Sequence, residues 1–552
     1  MTTRYGASGI DAVEQTLALY AAAQEQQRYR HSEWKRIADY CLPWQSKFWA
    51  GSQPPPADTS ASEDWDPVGT QALDTHVGRL IQATIPAGQV WHTLTPPTKR
   101  IAEHRDVQIY ASEVNDAIFR TREDPEAGFE ENISAVYQSL VAYGAGVLFV
   151  GKRPPTVLAP GVRYQFCPLY NSFLLLGWDG KTSIFFFRFF LNARQFSERF
   201  PSEPLPEPFK RSTRPTEGDT REFVHCVWRK PAGDWSPAAD GLRRWPVGGR
   251  YFDREAKQFV GREHGYISMP YLTPRLNLAE SAPYGRGRAS LALPPMALAS
   301  VLRRDIASTA RSHMEPPLLA PGRDVLNDRV DLRPNAVNYG GMDERGNILI
   351  KPFLVGDINT PQHVLDRIDH QTRDAFQVNE PSDTTRRSAA EVLEMKETRA
   401  TDRMRSLFPI QTRLLGPLIE REIALAQDLG HLPKMPATLH ENGGRLRPVF
   451  TAPALRMKDL AELSAFMRTL EVLSQVVQIT GSQAPFDTIN FDVALPEFAR
   501  RLGVHPDWLN SEKQIRALRE ARAQQQEQQA AVAAAPAAAG ILKTVNAMGG
   551  VQ

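Results

Sequence analysis

The chain has 552 residues, 42% hydrophobic and 23% charged, enough to bury several cores, and a prior of one domain per ~150 residues predicts about three or four units. Lysine plus arginine number 65 against 63 aspartates and glutamates, a formal charge of +2, so the basic balance of a nucleic-acid-coating protein is missing and any such contact is local. Cys41, Cys167 and Cys226 stand far apart with no C-x-x-C pair, which points away from a zinc knuckle or a disulfide framework and fits a reducing compartment.

Met1 to Gly9 has no apolar h-region, and the most apolar short run, Ile184 to Leu191, is broken by Arg188. Neither a signal peptide nor a membrane span is expected, since a span needs ~20 apolar residues. Ile10, Val13, Leu17 and Tyr20 recur at helical spacing, and a second stretch puts Trp34, Ile37, Ala38 and Cys41 on one face before Pro43 ends it. Residues 51 to 67 read as a surface loop. A helix is predicted from Pro67 to Thr84 with Leu73, Val77, Leu80 and Ile81 as its stripe, followed by a strand-like Val90 to Leu94. Val107 to Arg122 and Phe129 to Ala142 are further helices, the second facing Ile133, Val136, Tyr137 and Leu140 inward and stopping at Gly144-Ala-Gly146. From Val147 to about Tyr271 the pattern turns to β: Val147 to Val150, Tyr164 to Pro168, Phe173 to Leu176, Ile184 to Leu191, Phe223 to Arg229 and Arg250 to Phe252. Pro201 to Pro215, with five prolines, is an irregular excursion.

The second half is mainly helical, so the fold class is α+β, mainly helical. A helix is expected to open at Pro294-Pro295, carry Leu298, Val301, Leu302, Ile306 and Ala310, and stop at Glu315-Pro-Pro317. Residues 318 to 358 read as a strand-and-turn module with turns at Gly340-Gly341 and Gly346-Asn347 and a strand at Ile348 to Ile350. Thr360-Pro361 starts a helix faced by Leu365, Ile368, Thr372, Ala375 and Phe376. After a polar loop, Asn379 to Arg387, the capping box Ser388-Ala-Ala-Glu391 begins a long helix to about Gly430, with kinks predicted at Pro409 and Gly416-Pro417. A strand at Leu446 to Phe450, a helix from Met457 to Ile479, a short one near Val493 to Leu502 and a last one from Ser511, almost without an apolar stripe, complete the chain.

No catalytic constellation emerges. Gly144, Gly146 and Gly151 fall short of a dinucleotide loop because Phe149 stands where the third glycine belongs, and neither a G-x-x-x-x-G-K-[ST] run nor a Gly-x-Ser-x-Gly motif is present. His363, Asp366, Asp369 and His370 could in principle hold a metal, but the buried stripe at Leu365 and Ile368 turns them to solvent or a partner subunit. Glu391, Glu394 and Glu397 with Lys396 and Arg399 read as a solvated helix face. One local concentration of positive charge remains. Arg386 and Arg387 share the polar loop with Ser382, Thr384 and Thr385, and the following helix adds Lys396, Arg399, Arg403, Arg405 and Arg413.

The order helix, β insert, returning helix, polar loop and long kinked helix resembles the portal proteins of tailed phages. Specific phrases narrow the likeness to the head-to-tail connector, or portal, family of short-tailed phages: Trp34 to Pro43, Trp91-His-Thr-Leu94 with Pro96-Pro97, Tyr137 to Val150 around Gly144, and Pro283-Tyr-Gly-Arg-Gly287. Pro316-Pro-Leu318, Ser388 to Leu393, and Leu502-Gly-Val504 leading to Trp508-Leu-Asn-Ser-Glu512 continue it.

The resemblance implies a non-enzymatic portal fold without cofactor, catalytic residue, metal or membrane insertion. Residues 1–283 would form an α+β wing, 284–315 the first stem helix, 316–359 the clip and 360–378 the second stem helix. The tunnel loop would be 379–388, with Ser382, Thr384, Thr385, Arg386 and Arg387 toward the channel and Lys396 and Arg399 as further lining. Residues 389–452 would hold the long kinked helix and the wing's return strand, 453–510 the crown, 511–535 a barrel helix and 536–552 a flexible tail. Implied too are a homo-oligomeric ring, typically of twelve subunits, at one capsid vertex of the virion, assembled in the host cytoplasm, with double-stranded DNA passing through it non-specifically. Implied partners are the major capsid and scaffolding proteins, the terminase large subunit and tail adaptor or head-completion proteins. Two alternatives stand beside it: a capsid or scaffold-type phage protein without a DNA channel, and a divergent nucleic-acid-processing enzyme.

Overall fold

In the computed structural model the two N-terminal apolar stretches belong to one helix, α1 (Val13–Cys41), which Pro43 follows. The structure describes residues 13–45, 67–102, 104–153, 160–206, 209, 220–278, 282–315, 318–321, 331, 333, 335–342, 345–348, 359–378, 407–441, 443–451, 457–480, 489–491, 493–495, 514–522 and 524–525. In chain order there follow α2 (Pro67–Thr84), β1 (His92–Thr95), α3 (Lys99–Ala102), α4 (Arg105–Glu123), α5 (Phe129–Tyr143), β2 (Leu148–Lys152), β3 (Val162–Phe166), β4 (Ser172–Leu176) and β5 (Thr182–Leu191). Next come α6 (Ala193–Arg199), β6 (Arg221–Arg229), β7 (Val247–Asp253), β8 (Gln258–Tyr266), β9 (Tyr271–Leu272), α7 (Ala289–Met314), β10 (Leu318–Pro321), β11 (Val337–Met342) and α8 (Asn359–Ala375). The last are α9 (Gly416–Asp428), α10 (Ala437–Glu441), β12 (Arg447–Phe450) and α11 (Met457–Thr480). The architecture is α+β and mainly helical. The loop expected at 51 to 67 lies outside the described residues except for Pro67, as does most of the Pro201 to Pro215 excursion.

The chain divides into two units, one holding residues up to Trp91 and Val114–Lys434, the other His92–Glu113, Met435–Thr451 and the chain from Arg456. In the first unit an antiparallel sheet runs β4-β5-β6-β7-β8. Strand alternation sends Phe186, Val224, Cys226 and Phe252 to one face, where α1 lays Tyr20 and Ala23 on them. Phe223 and Val260 belong to a second cluster, with Phe196 and Phe200 around α6. A smaller sheet, β3-β2-β9, is bolted to α9 by Arg421, whose Nε donates to the Val150 carbonyl (3.1 Å) and whose Nη1 donates to the Ser268 carbonyl (3.1 Å). Burial lowers the Arg421 guanidinium to about 10. All three cysteines are buried free thiols.

In the second unit β1 pairs antiparallel with β12, His92 opposite Phe450, and Thr438 Oγ1 donates to Asp106 Oδ2 (2.8 Å). Residues 514–522 are helical and almost wholly exposed, as the thin stripe there predicts.

Several expectations need correction. The helix read from Pro294-Pro295 begins five residues earlier, at Ala289, and holds both prolines inside. The carbonyls of Ser290 and Leu291 lose their intrahelical donors there, and burial of Ala289, Ala292, Leu293 and Met296 offsets that loss. Gly340-Gly341 is not a turn but lies within β11. The parallel register with β10 jumps from Ala320 opposite Tyr339 to Pro321 opposite Met342, so the glycines form a bulge, with Gly340 at φ +84°. Gly346 does turn, at φ +83°, and Ile348 bridges back to Met342.

Among the elements that escaped the sequence pattern, besides the short helices α3 and α10, are α6 and β8. Helix α6 is too short for periodicity, and its one signal was the reciprocal capping box of Asn192 and Gln195. Strand β8 is the polar edge of its sheet, where Arg262, Glu263 and His264 blur the alternation. The kink expected at Gly416-Pro417 takes the form of a single π turn, Gln411–Leu415, immediately before it. Gly416 N–H donates to the Gln411 carbonyl five residues back, and the wider turn accommodates the ring and missing N–H of Pro417.

The larger sheet also buries an imidazole. His225 Nδ1 meets the Tyr271 hydroxyl at 2.7 Å and its Nε2 meets His264 Nε2 at 3.0 Å, with Tyr251 stacked on the ring. Burial, then His264, then Arg199 hold His225 well below the ordinary histidine range, and burial lowers His264 as well. The unfolded chain therefore binds more protons than the native one below pH ~6.5, and stability falls as pH drops through that value, by up to about 1.4 kcal/mol per pH unit for each such histidine. Denaturant midpoints between pH 7.5 and 5 should show this slope, and His225→Gln should remove much of it; an unchanged slope would place the proton uptake elsewhere.

Candidate functional site: the paired helices and their anchorage

Three sequence phrases far apart in the chain meet at one point. Helix α5 ends at Gly144 (φ +82°), where the backbone of Arg286 and Gly287 crosses so closely that a Cβ would lie 2.2 Å from the Arg286 carbonyl carbon. A Cβ on Gly285 would lie 1.8 Å from the Leu276 oxygen, and one on Gly287 2.3 Å from the Ala142 oxygen. The close approach permits a ladder of backbone bonds: Leu276 N–H to Gly144 O (2.9 Å), Arg286 N–H to Leu276 O (3.1 Å) and Arg288 N–H to Val141 O (2.8 Å). Glycine is needed here for space as much as for dihedral freedom.

Tyr284, next to Gly285, stands edge-on to Trp34 of α1, ring centroids 5.2 Å apart, and Trp34 in turn meets Tyr143. Its buried hydroxyl donates to the Ser172 carbonyl (3.2 Å) and accepts from Leu174 N–H and Gln27 Nε2. Burial pushes its phenol up. Helix α7 thus departs from a rigid root.

Helices α7 and α8 run on from that root as a pair. One face of α7 (Ala289, Ala292, Leu293, Met296, Ala299 and Ser300) is buried, as are Ile368, Thr372 and Phe376 on the other helix and its cap. Arg303 Nη2 donates to Asp369 Oδ2 at 2.6 Å. The stripe expected on α7 is therefore misplaced: Leu298 and Val301 are 51% and 53% exposed, and Leu291, one heptad before Leu298, is 66% exposed. The helix has two apolar faces, one packed in its own chain and one open. Between the pair, β10 and β11 form a two-stranded parallel ribbon with Leu318 and Tyr339 also exposed.

The profile of a family described as bacteriophage head to tail connecting protein matches residues 13–509. The chain belongs to that family. Among solved structures, the neck of an empty GTA particle computed with C6 symmetry aligns over 76% of this chain and 86% of that chain, at 14% identity and a TM-score of 0.30. No curated protein matches the chain. As a member of the connecting-protein family, the protein is a structural component of the head–tail junction of a virion and not an enzyme.

In this connector the residues singled out from the polar loop and the following helix, Ser382, Thr384, Thr385, Arg386, Arg387, Lys396 and Arg399, lie outside the described residues, as do Arg403 and Arg405. Arg413 is described, and it leaves the cationic group: its Nη1 donates to the Arg275 carbonyl (2.8 Å). The His363 to His370 series holds no metal-binding cluster among the described residues. Asp369 faces Arg303, and His370 Nδ1 lies 3.1 Å from Asp374 Oδ2. Gly146 and Gly151 also serve packing, against Val136 and Phe149. No described helix is long and apolar enough to cross a membrane.

The connector also uses residues that sequence reasoning passed over. Arg79 of α2 donates from Nη1 to the carbonyls of Gln377 (3.3 Å) and Val378 (3.2 Å), where the chain leaves α8. No local pattern announces a contact spanning some 300 positions. Leu291 could have been found from its heptad spacing to Leu298.

Proposed function

We propose that the protein is a phage portal: copies close into a ring, twelve by the family's habit, at one capsid vertex, and double-stranded DNA enters and leaves through the bore. Helices α7 and α8 serve as the stem, residues 316–359 as the clip, and 379–388 as the tunnel loop. The chain before residue 284, with 389–452, makes the wing, and 453–510 and 511–535 make the crown and barrel. The observation that carries this reading is the second apolar face of α7, with Leu291, Leu298 and Val301 open to solvent in a connector-family chain. A head-to-tail ring asks each subunit for two different contact surfaces, and a stem helix apolar on two sides suits that demand. Helix α7 at 26 residues spans ~39 Å, long enough to line a channel.

Charge fits the same role. Duplex DNA carries about one charge per 1.7 Å, and a fully basic bore would grip it tightly. A net charge of +2 suits a conduit that guides without holding, with Arg386 and Arg387 repeated around the ring as a narrow cationic collar. Capsid and scaffolding proteins would meet the wing, and the terminase large subunit and later the tail adaptors would meet the clip.

Native mass measurement and negative-stain images should show closed rings with a central hole. Leu298→Asp with Val301→Asp should leave the helical circular dichroism intact and shift the mass to monomer, since each buried apolar side chain is worth about 1.5–3 kcal/mol. Arg386→Glu with Arg387→Glu should keep the ring and impair DNA transit. A wild-type chain that stays monomeric at micromolar concentration overturns the reading, and shells without a hole favour the capsid or scaffold alternative.

A further inference from the structure

The C-terminal end of α8 is built from locally unfavourable parts. Its last turn closes with two paired bonds, Gln377 N–H to Asp374 O (2.8 Å) and Val378 N–H to Arg373 O (2.9 Å), the arrangement that usually places glycine at the left-handed position. Here that position is Gln377, at φ +56°. A residue with a Cβ disfavours this conformation about tenfold relative to glycine. Its side chain gains no evident compensation, because Gln377 Oε1 is buried without a hydrogen-bond partner.

What offsets this comes from another helix. Arg79 of α2 sends one guanidinium nitrogen between the carbonyls of Gln377 and Val378, the last two described before residue 379. Both oxygens lie just beyond Ala375, beside the negative end of the helix dipole, and a cation there is favourable. Arg288 adds a longer contact to the Ala375 carbonyl (3.5 Å). Phe376, fully buried, holds the turn against the unit.

We infer that Arg79 is a positioning residue, which clamps the left-handed turn at Gln377 and so sets the direction in which the chain leaves α8 toward residues 379–388. Strained backbone persists only where surrounding structure over-determines it, and the bridge from α2 does so here. The clamp goes beyond the portal reading and rests on that reading only for its consequence, that the loop's point of departure into the bore is set from the wing side.

The test is hydrogen exchange on the full-length protein. Arg79→Gln should speed exchange of the Gln377 and Val378 amides about tenfold, the loss expected for a charged hydrogen bond, while the amides of α2 keep their protection. Arg79→Lys should recover part of it, because an ammonium can reach the same pair of carbonyls as a point charge. Gln377→Gly added to Arg79→Gln should restore protection, since glycine needs no clamp to hold the turn. Unchanged exchange at 377–378 in Arg79→Gln, an equal acceleration throughout α2 and α8, or failure of the glycine to rescue would each overturn the inference. Native mass on the same samples separates the two claims: a monomeric wild type with the exchange pattern as described removes the portal and leaves the clamp.

Discussion

Gly285→Ala is expected to destabilise the first unit by at least about 3 kcal/mol, the upper range for forcing atoms into filled space. The added methyl would sit 1.8 Å from the Leu276 oxygen and 2.5 Å from the Gly144 oxygen, and both are backbone atoms that cannot rotate aside. Relieving the overlap means parting the strand of bonds that joins Leu276 to Gly144 and Arg286, and with it the root from which α7 departs. A control sits on α2: Gly78 is exposed in mid-helix with nothing within 4 Å of its Cβ position. Gly78→Ala should therefore stabilise, by up to about 1 kcal/mol, through helix propensity alone. Opposite shifts of the thermal midpoint check the pair. Equal small effects would mean that the crossing yields more readily than its distances indicate.

Glu422→Gln is expected to cost about 3–5 kcal/mol, the penalty for leaving a buried charge without its counter-ion. Arg122 and Glu422 are 4% and 1% exposed, and the guanidinium Nε donates to Oε1 at 2.9 Å. Tyr164 also donates to Oε1, and the guanidinium lies over the rings of Trp91, Phe119 and Phe129 at 4.5, 5.1 and 5.4 Å. The buried carboxylate thus ties α9 to α4 and β3. Replacing both charges, Arg122→Met with Glu422→Leu, should recover most of the loss, because the desolvation cost of each ion disappears with its partner's. Urea unfolding of Arg122→Met, of Glu422→Leu and of the double variant measures the coupling directly. Near-additive losses would show that packing around the pair, rather than its charge, holds the three elements together.

Much of the element order was legible because helix and strand signals are local. The stripes of α2 and α5, the stop at Gly144, and the strand run from β2 to β7 follow from spacing and from glycine and proline alone. Where the reading slipped, a tertiary contact outweighed a local rule. Pro294-Pro295 looked like a helix start, yet the glycine crossing begins α7 at Ala289 and burial carries the helix through both prolines. Gly340-Gly341 looked like a turn because two glycines usually are, and became a bulge only through pairing with β10.

The sequence by itself determined most of the described helices and strands of this connector and that no nucleotide-binding or hydrolase motif accompanies them, since those features depend on residues within a few turns of one another. Only the tertiary structure decided which side of α7 is spent inside the chain and which stays open, that Arg122 answers Glu422, and that Arg79 meets the chain where it leaves α8. A helix apolar on two sides has no single preferred face, and a guanidinium can choose among many distant oxygens, so both outcomes are settled by the packed surfaces that surround them.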